Sequence, residues 1–262
     1  MAHKSEDVTT AQHVKKIVVV TNQKGGVGKT TLSTHLAMAA AGLGKTLIGD
    51  LDTQGNSSQL LTRDTQINQR TGGVELLFNL SSLKSKRLKY SDTIIDSLKL
   101  LHGHKRLELL NQRDSTKEKA IALKDQIRSL PFDYIVFDTP TAINNCHIAP
   151  LFWADTVIIP VEPTTLSISG LPDMIETVQL ARAVNPTLQM KLVINRFEKN
   201  KPSQKEKHDA LIANFGNDVV ETFALRQAVS DALDHGVPVW DFPQARGLKK
   251  QWRTFCENVF LK

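Results

Sequence analysis

Hydrophobic residues in this chain form short continuous runs that alternate with stretches of helical periodicity. The runs are rich in valine, isoleucine and leucine, which is typical of strands buried on both faces. Strands are therefore predicted over residues 17–20, 46–52, 134–138, 156–161 and 191–195, with a shorter strand over 219–224. Such strands, separated by helical stretches, indicate parallel pairing through crossover helices.

Between the strands, apolar residues recur every three or four positions, as they do on one face of an α-helix. The first helix is expected to end at Gly42 and Gly44, and residues 56–80 are expected to be helical and to lie on the surface. Further helices are predicted over 115–130, 167–184, 203–215, 226–235 and 246–260. The predicted fold class is α/β, with a doubly wound, mostly parallel sheet flanked by helices.

Composition and length favour one large domain over residues 1–262, in which residues 1–14 form a flexible lead-in. The chain is 40% hydrophobic, and we find neither an internal repeat nor a low-complexity linker. The two cysteines are far apart, residues 1–14 lack the apolar core of a secretory signal, and no apolar run is long enough to span a bilayer. We therefore expect a cytoplasmic protein. Its net charge of +6 permits a nucleic-acid or anionic-membrane partner without requiring one.

Residues 23–31 form a glycine-rich segment between the first strand and the first helix, which predicts a phosphate-binding loop. Glycines free backbone N–H groups for phosphate oxygens, and the helix N-terminus adds partial positive charge. Lys29 is expected to reach the β- and γ-phosphates, and the Thr30 hydroxyl to ligate Mg²⁺. The standard motif has glycine where this chain has Gln23, and a second lysine follows. The predicted nucleotide-binding residues here are Lys24, Gly25, Gly26, Val27, Gly28, Lys29, Thr30 and Thr31.

Carboxylates follow two of the predicted strands. Asp138 ends an apolar strand, as a metal-holding Asp of a P-loop protein does, although such a residue can also cap a helix or form a turn. Asp50 and Asp52 fall on the same face of the second strand, at the edge where open α/β sheets bind ligands. A metal ion or an attacking water would give two carboxylates a role beside a phosphate. The predicted metal residues are Thr30, Asp50 and Asp138.

Segments spread over residues 16–260 resemble the ParA/MinD family of ATPases, and the last of them, over residues 225–239, resembles the family's late segment R-x-x-V-x-x-A…G-x-P-V. The loop K-G-G-V-G-K-T-T matches the family's deviant Walker motif, whose mark is the second lysine, here Lys24. The segment D-L-D-T-Q-G-N resembles the family's D-x-D-P-Q-G-N, with Thr53 in place of proline. The segments A-D-T-V-I-I-P-V and V-I-N-R-F resemble later strands, and Thr141 replaces a second proline after Asp138.

The resemblance implies roles for individual residues. Lys24 of each subunit would reach the phosphates of the other, and Asp52 would position the hydrolytic water while Asp50 supports the metal shell. Lys24, Lys29 and Asp52 are thus the expected catalytic residues. Asn195 would contact the base; an asparagine amide suits either purine, so adenine is implied by the family alone.

The implied function is that of a ParA-like ATPase with ATP and Mg²⁺ as cofactors. It would form an ATP-dependent homodimer, bind DNA nonspecifically at the nucleoid and segregate plasmid or chromosome DNA. A centromere-binding, ParB-like partner or a cargo adaptor would stimulate slow hydrolysis. The resemblance is closest to members without an N-terminal helix-turn-helix domain, so no operator binding is expected. Two alternatives stay open: a MinD-like or organelle-positioning ATPase, and a nucleotide-gated scaffold without significant hydrolysis.

Basic residues in two segments are candidates for DNA contacts, because phosphate contacts need only cations on one surface. Acidic neighbours in the first segment also fit a plain solvated face. The candidates are Lys199, Lys201, Arg226, Lys249, Lys250 and Arg253.

The C-terminal helix could instead be a membrane anchor. Leu248, Trp252, Phe255 and Val259 recur on one helix face, beside basic residues. We favour a closing helix packed on the sheet, because the pattern directly adjoins the domain.

Histidine and cysteine residues outside these motifs predict no metal centre. The His102 and His104 pair is expected to be solvated. Cys146 is expected to be a packed thiol, since the chain has no C-x-x-C pair for a metal cluster.

Overall fold

The computed structural model describes residues 14–70, 73–78, 88–108 and 117–262. Eight strands form one sheet in the order β3-β4-β2-β5-β1-β6-β7-β8. All neighbours pair in parallel except β3 and β4, which are antiparallel at one edge. The strands are β1 (Lys16–Val20), β2 (Thr46–Asp50), β3 (Ser91–Asp92), β4 (Leu98–Leu101), β5 (Tyr134–Asp138), β6 (Thr156–Val161), β7 (Gln189–Phe197) and β8 (Val219–Ala224). The mostly parallel sheet confirms the predicted fold class.

Helices cover both faces of this sheet, as strands that are apolar on both sides require. One layer contains α1, α2, α9 and α10, and the other contains α3, α4, α5, α7 and α8. The helices are α1 (Lys29–Ala41), α2 (Asn56–Thr62), α3 (Lys117–Ala122), α4 (Lys124–Arg128), α5 (Asn145–Trp153), α6 (Thr165–Ser169), α7 (Leu171–Arg182), α8 (Pro202–Phe215), α9 (Gln227–Asp234) and α10 (Lys249–Leu261). Short 3₁₀ turns occupy 67–69 and 74–78.

The central strands end in register at one edge of the sheet. Val20 of β1 lies beside Asp138 of β5, which lies beside Asp50 of β2. The loop that follows β1 and the acidic residues that follow β2 and β5 therefore converge, as the parallel register requires.

The C-terminal helix α10 packs against α1 and the sheet. Trp252 and Phe255 are 2% and 6% exposed, and Trp252 stacks on Phe223 of β8 with ring centroids 4.0 Å apart. The apolar face that a membrane anchor would need is thus used inside the fold, which confirms the packed alternative. Among the described residues, no helix is both long and apolar enough to cross a bilayer.

Two sequence predictions about burial are wrong. Of the described residues between 56 and 80, which leave out 71–72 and 79–80, only 56–62 form an α-helix, and Leu61, Val74 and Leu77 are fully buried. The His102 and His104 side chains are buried rather than solvated. His102 Nε2 contacts the Arg70 carbonyl at 3.1 Å, and His104 Nδ1 accepts the Arg106 N–H at 2.9 Å.

Other boundaries differ in smaller ways. The predicted helix over 115–130 is divided at Leu123, and its first two residues lie outside the described part of the chain, as do 1–13 of the predicted lead-in. Val14, the last residue of that lead-in, is 4% exposed and belongs to the core. Helix α5 was not predicted.

Candidate nucleotide-binding site

The loop between β1 and α1 takes a backbone form that glycine allows. Gly26 and Gly28 have φ of 80° and 96°, in the left-handed region that other residues avoid. A Cβ on Gly28 would also lie only 2.3 Å from Asn195 Nδ2. Gly28 directly precedes α1, so the unpaired N–H groups of the first helical turn face the loop. This is the geometry of an anion site at a helix N-terminus.

The two lysines of the loop differ in exposure and in hydrogen bonding. Lys29 is 8% exposed and its Nζ donates to the Lys24 carbonyl at 3.0 Å. Burial lowers the pKa of Lys29, and the charges of Asp138 and Asp52 oppose that shift. The Lys24 side chain is exposed, and its ammonium makes no hydrogen bond or ion pair with any residue in the described ranges. Lys29 is therefore built into the loop, and Lys24 is free to reach outward.

Asn22 holds the loop to the neighbouring strand, a role that no motif indicated. Its Nδ2 donates to the Pro160 carbonyl at 2.8 Å, and its Oδ1 accepts the Lys24 N–H at 2.8 Å. Asn22 is 3% exposed. A buried side-chain amide that satisfies two backbone groups rigidifies the entry to the loop.

Asp138 is a buried carboxylate without a hydrogen-bond partner. The hydroxyls of Thr30 and Ser33 face it, but neither Asp138 oxygen has a partner in hydrogen-bond geometry within the described residues. Ser33 instead donates to the Lys29 and Thr30 carbonyls. Burial above all, and then the charge of Asp50, raises the pKa of Asp138 to about 7. An unpaired buried carboxylate beside a threonine hydroxyl fits a divalent cation, which would supply the missing partner.

Asp50 is the opposite case, because both of its oxygens accept hydrogen bonds. Oδ2 accepts the Ser58 N–H at 2.9 Å and the Ser58 hydroxyl at 2.6 Å, and Oδ1 accepts the Asp52 N–H at 3.1 Å. Burial raises its pKa and these hydrogen bonds oppose the rise. Asp50 thus ties α2 to the end of β2. It affects the predicted metal position chiefly because its charge raises the pKa of Asp138.

Asp52 lies closer to solvent than Asp50. Its Oδ1 accepts the Gln54 N–H at 2.9 Å and its side chain is half-buried. Its charge helps to raise the pKa of Asp138 and opposes the lowering of the pKa of Lys29, so it lies near both. A carboxylate in this position can accept a proton or orient a water at the loop.

Asn195 closes the other side of the loop. Its Nδ2 donates to the Val27 carbonyl at 2.8 Å. It also lines a cavity of about 340 Å³ next to Thr31, Arg196 and Arg226. A cavity of this size that adjoins the phosphate loop can hold a nucleotide base.

His147 is a second residue that the sequence did not reveal. It is fully buried at the start of α5, and its Nδ1 lies 3.1 Å from the Pro140 carbonyl. The Thr21 hydroxyl is 3.3 Å from Nε2. Burial lowers its pKa, so a neutral imidazole joins the strand that leads into the loop to the segment after Asp138. Cys146 is buried as predicted, and burial raises the pKa of its thiol to about 12.

Comparison with known proteins agrees with this geometry. A family model described as an AAA domain matches residues 15–190. Protein IncC of Escherichia coli is 31% identical over 97% of this chain and 71% of IncC. The chromosome partitioning protein ParA of Caulobacter vibrioides is 26% identical over 86% of each chain. This chain belongs to the ParA/MinD family of deviant Walker A ATPases.

The solved structures with this fold include McdA of Cyanothece in complex with ATP. Its TM-score is 0.80 at 20% identity, and the match covers 96% of this chain and 98% of that one. The doubly wound P-loop fold of this ParA-family chain is thereby confirmed.

The predicted DNA-binding residues of the ParA-family chain differ in their ion pairs and in their positions. Lys201 and Arg253 are paired with Glu198 and Glu257, each at 2.7 Å. Within the described residues, the ammonium groups of Lys199, Lys249 and Lys250 have no carboxylate partner. Lys249 and Lys250 line a shallow depression together with Arg246. Arg226 lies instead at the cavity beside Asn195.

Proposed function

We propose that this chain is an ATPase that forms an ATP-dependent sandwich dimer, binds DNA nonspecifically and segregates plasmid or chromosome DNA. A centromere-binding, ParB-like partner or cargo adaptor stimulates its slow hydrolysis, and the protein works at the nucleoid in the cytoplasm. Family membership supports the ATPase and partition classes. The proposals for nucleotide binding, dimerisation and DNA binding depend on the contacts and exposures of the residues described above.

ATP and Mg²⁺ are the proposed cofactors, and the residues fit both. The loop N–H groups and Lys29 receive the phosphates, while the base enters the cavity beside Asn195. Thr30 and the unpaired Asp138 hold the ion, with Asp50 behind them. When bound, Mg²⁺ neutralises charge on the phosphate oxygens. Asp52 orients the attacking water, the role for which its half-buried position near Lys29 suits it.

The exposed, unpaired ammonium of Lys24 is the observation, within the described residues, that carries the dimer proposal. A lysine of a phosphate-binding loop that is exposed, and whose ammonium is free of partners among the described residues, is available to a second subunit. The γ-phosphate of that subunit would give it a charge-assisted contact, which is of the strong kind. ADP lacks that group, so dimerisation follows the nucleotide state.

The DNA surface is proposed to centre on Lys249 and Lys250. They lie with Arg246 at the start of α10, whose apolar face is buried, so their charges point away from the core. Lys199 adds to the surface. Lys201 and Arg253 contribute less, because their glutamate partners offset their charge.

Light scattering and DNA retardation together test this proposal. Wild-type protein should be dimeric and retard DNA with Mg·ATP, and should remain monomeric with Mg·ADP. Lys24→Ala should bind ATP with little loss of affinity yet stay monomeric and leave DNA unshifted. Lys45→Ala, another exposed lysine on a loop, is the matched control and should behave as wild type. Dimerisation of Lys24→Ala at wild-type concentrations would contradict the role across the interface.

A further inference from the structure

Polar residues occupy the face of the sheet that α1 and α10 cover, at the amino-terminal edge where β1, β6 and β7 begin. Alternation along β1 puts Lys16 on the same face as Val18, which packs in the layer of α1 and α10. Val18, Thr156 and Gln189 are neighbours in register, and Lys191 lies two positions further along β7 on this same face. Strand positions that would otherwise carry apolar residues thus carry two lysines, a threonine and a glutamine.

A cavity of about 300 Å³ lies between these strand residues and the last turns of α10. Thr254, Asn258 and Lys262 of the helix line it, and Phe255 and Val259 supply apolar wall. This volume is within the range of small-molecule sites. The cavity is at the opposite end of β1 from the phosphate-binding loop, roughly 13 Å away along the strand.

The lysine charges of this cavity are only partly offset by the carboxylates near them. Within the described residues, the Lys16 and Lys191 ammonium groups have neither a hydrogen bond nor an ion pair. Burial lowers the pKa of Lys16, and the negative charge of Asp155 opposes this shift. The positive charge of Lys191 lowers the pKa of Lys16 further, so the two lysines repel each other. Asp155 is already bound to Arg128 at 2.6 Å and to the Ile17 N–H at 2.7 Å.

The carboxylate of the cavity is also engaged elsewhere. Glu221 accepts the Thr222 N–H at 2.8 Å and the Gln251 amide at 2.9 Å. The lysines that line the cavity, Lys16, Lys191 and Lys262, outnumber this side-chain carboxylate, so the lining side chains keep an excess of positive charge.

Thr156 provides an independent indication of a ligand. It is 1% exposed, lines the cavity, and its hydroxyl has no hydrogen-bond partner among the described residues. An unpaired buried hydroxyl costs free energy that a bound acceptor would recover. Because β6 lies between β1 and β7, Thr156 lines the same cavity as the two lysines, and a hydroxyl donor together with two ammonium groups suits an oxyanion.

We propose that this cavity binds a small oxyanion, a phosphorylated or carboxylated molecule, through Lys16, Lys191 and the Thr156 hydroxyl. Its apolar wall takes the carbon part of that molecule. The site is separate from the nucleotide site and does not depend on the proposed partition function.

Calorimetry with inorganic phosphate and with citrate tests the proposal and distinguishes a phosphorylated ligand from a carboxylated one. Saturating Mg·ADP and constant ionic strength keep the phosphate loop occupied and limit screening effects. Wild type should bind at least one of the two probes at millimolar or lower concentration. Lys16→Gln/Lys191→Gln should weaken that binding by about tenfold or more, and Thr156→Val by about threefold to tenfold without any change in charge. The better probe identifies the class of anion.

The matched control is Lys119→Gln/Lys205→Gln, which removes two exposed lysines far from the cavity and should alter binding less than about twofold. Unchanged ADP affinity in every variant shows that each one folds. Equal loss in the control and cavity variants would overturn the proposal, because it would indicate a nonspecific charge effect. Absence of binding to wild type with both probes at about 20 mM would also overturn it.

Discussion

Asp50 and Asp138 lie side by side at the ends of β2 and β5, and their surroundings give them different chemistry. Three hydrogen bonds stabilise the Asp50 carboxylate, whereas Asp138 has no hydrogen-bond partner within the described residues. Burial and the repulsion between two neighbouring carboxylates raise the pKa of Asp138 to about 7. A cation held at Asp138 would relieve the repulsion and supply the missing partner.

Asp52→Asn should bind ATP nearly as well as wild type and hydrolyse it at least about a hundredfold more slowly, with dimers trapped on DNA. Asparagine keeps the Oδ1 acceptor for the Gln54 N–H, so the turn is retained while the charge near Lys29 is removed. Phosphate release and ATP affinity, measured on one preparation, check this. Turnover within a few-fold of wild type would move the catalytic role to another group, and Asp50 is poorly placed for it because it is buried and its oxygens already accept three hydrogen bonds.

His35 should make stability depend on pH between about 6.5 and 4. It is fully buried, its Nε2 accepts the Val239 N–H at 3.1 Å, and its Nδ1 contacts the Thr31 carbonyl at 2.7 Å. Burial lowers its pKa to about 4. Above pH 6.5 both folded and unfolded states are neutral and the full stability is present. As pH falls towards 4 the unfolded state gains a proton that the folded state rejects, at a cost of order 3 kcal/mol.

Urea unfolding of wild type and His35→Gln across this pH range measures that contribution. Glutamine has a donor and an acceptor for the same two backbone groups, and it does not titrate. The free energy of unfolding of the variant should fall less between pH 6.5 and 4 than that of wild type. Parallel curves for the two proteins would show that His35 is not the cause.

At the scale of elements, the local sequence pattern is sufficient to predict a strand or a loop whose structure depends mainly on its own residues. The buried strands and the loop over residues 23–31 were predicted because apolar runs and glycine positions are local signals. Helix α5 was missed because Pro150 lies inside it and normally breaks a helix, yet α5 packs in the buried core on one face of the sheet.

Long-range contacts account for the remaining errors. His102 and His104 are buried because the loop after β4 packs across β2; the Gly103 N–H binds the Ser58 hydroxyl, which in turn binds Asp50. Asn22 and His147 support the site through residues more than a hundred positions away along the chain. No periodicity or spacing in the sequence encodes such pairings.

Helix α10 should contribute cations to DNA binding rather than an apolar face to a membrane. Lys249→Glu/Lys250→Glu should weaken Mg·ATP-dependent binding to any DNA sequence by about tenfold or more and should spare ATP binding. The log–log salt dependence should flatten by roughly one unit for each DNA phosphate that the variant no longer neutralises. Lys45→Glu/Lys119→Glu makes the same change in net charge elsewhere on the surface and serves as the control. Equal weakening in both variants would indicate that net charge alone attracts DNA.

At the scale of the whole molecule, the choice between a partition ATPase and a MinD-like ATPase is a choice between DNA and lipid as the surface that the ATP-bound protein occupies. The face of α10 that could enter a bilayer is held by Trp252 stacked on Phe223 and by Phe255, also against Phe223. Membrane insertion of α10 would leave Phe223 and the apolar side of α1 exposed to water, at a cost of several kcal/mol. The basic residues at the start of the helix remain outside and accessible without any rearrangement.

Wild-type protein with Mg·ATP should therefore retard two DNA fragments of unrelated sequence equally and should not sediment with vesicles that contain phosphatidylglycerol. Mg·ADP should abolish the DNA shift, because a monomer presents only half as many phosphate-binding cations as the dimer does. Asp52→Asn should strengthen the shift over time, since a dimer that does not hydrolyse ATP stays bound. ATP-dependent sedimentation with the vesicles and no DNA shift would replace the partition function with the MinD-like one. In that case α10 would have to detach from Phe223, which the fluorescence of Trp252 would report.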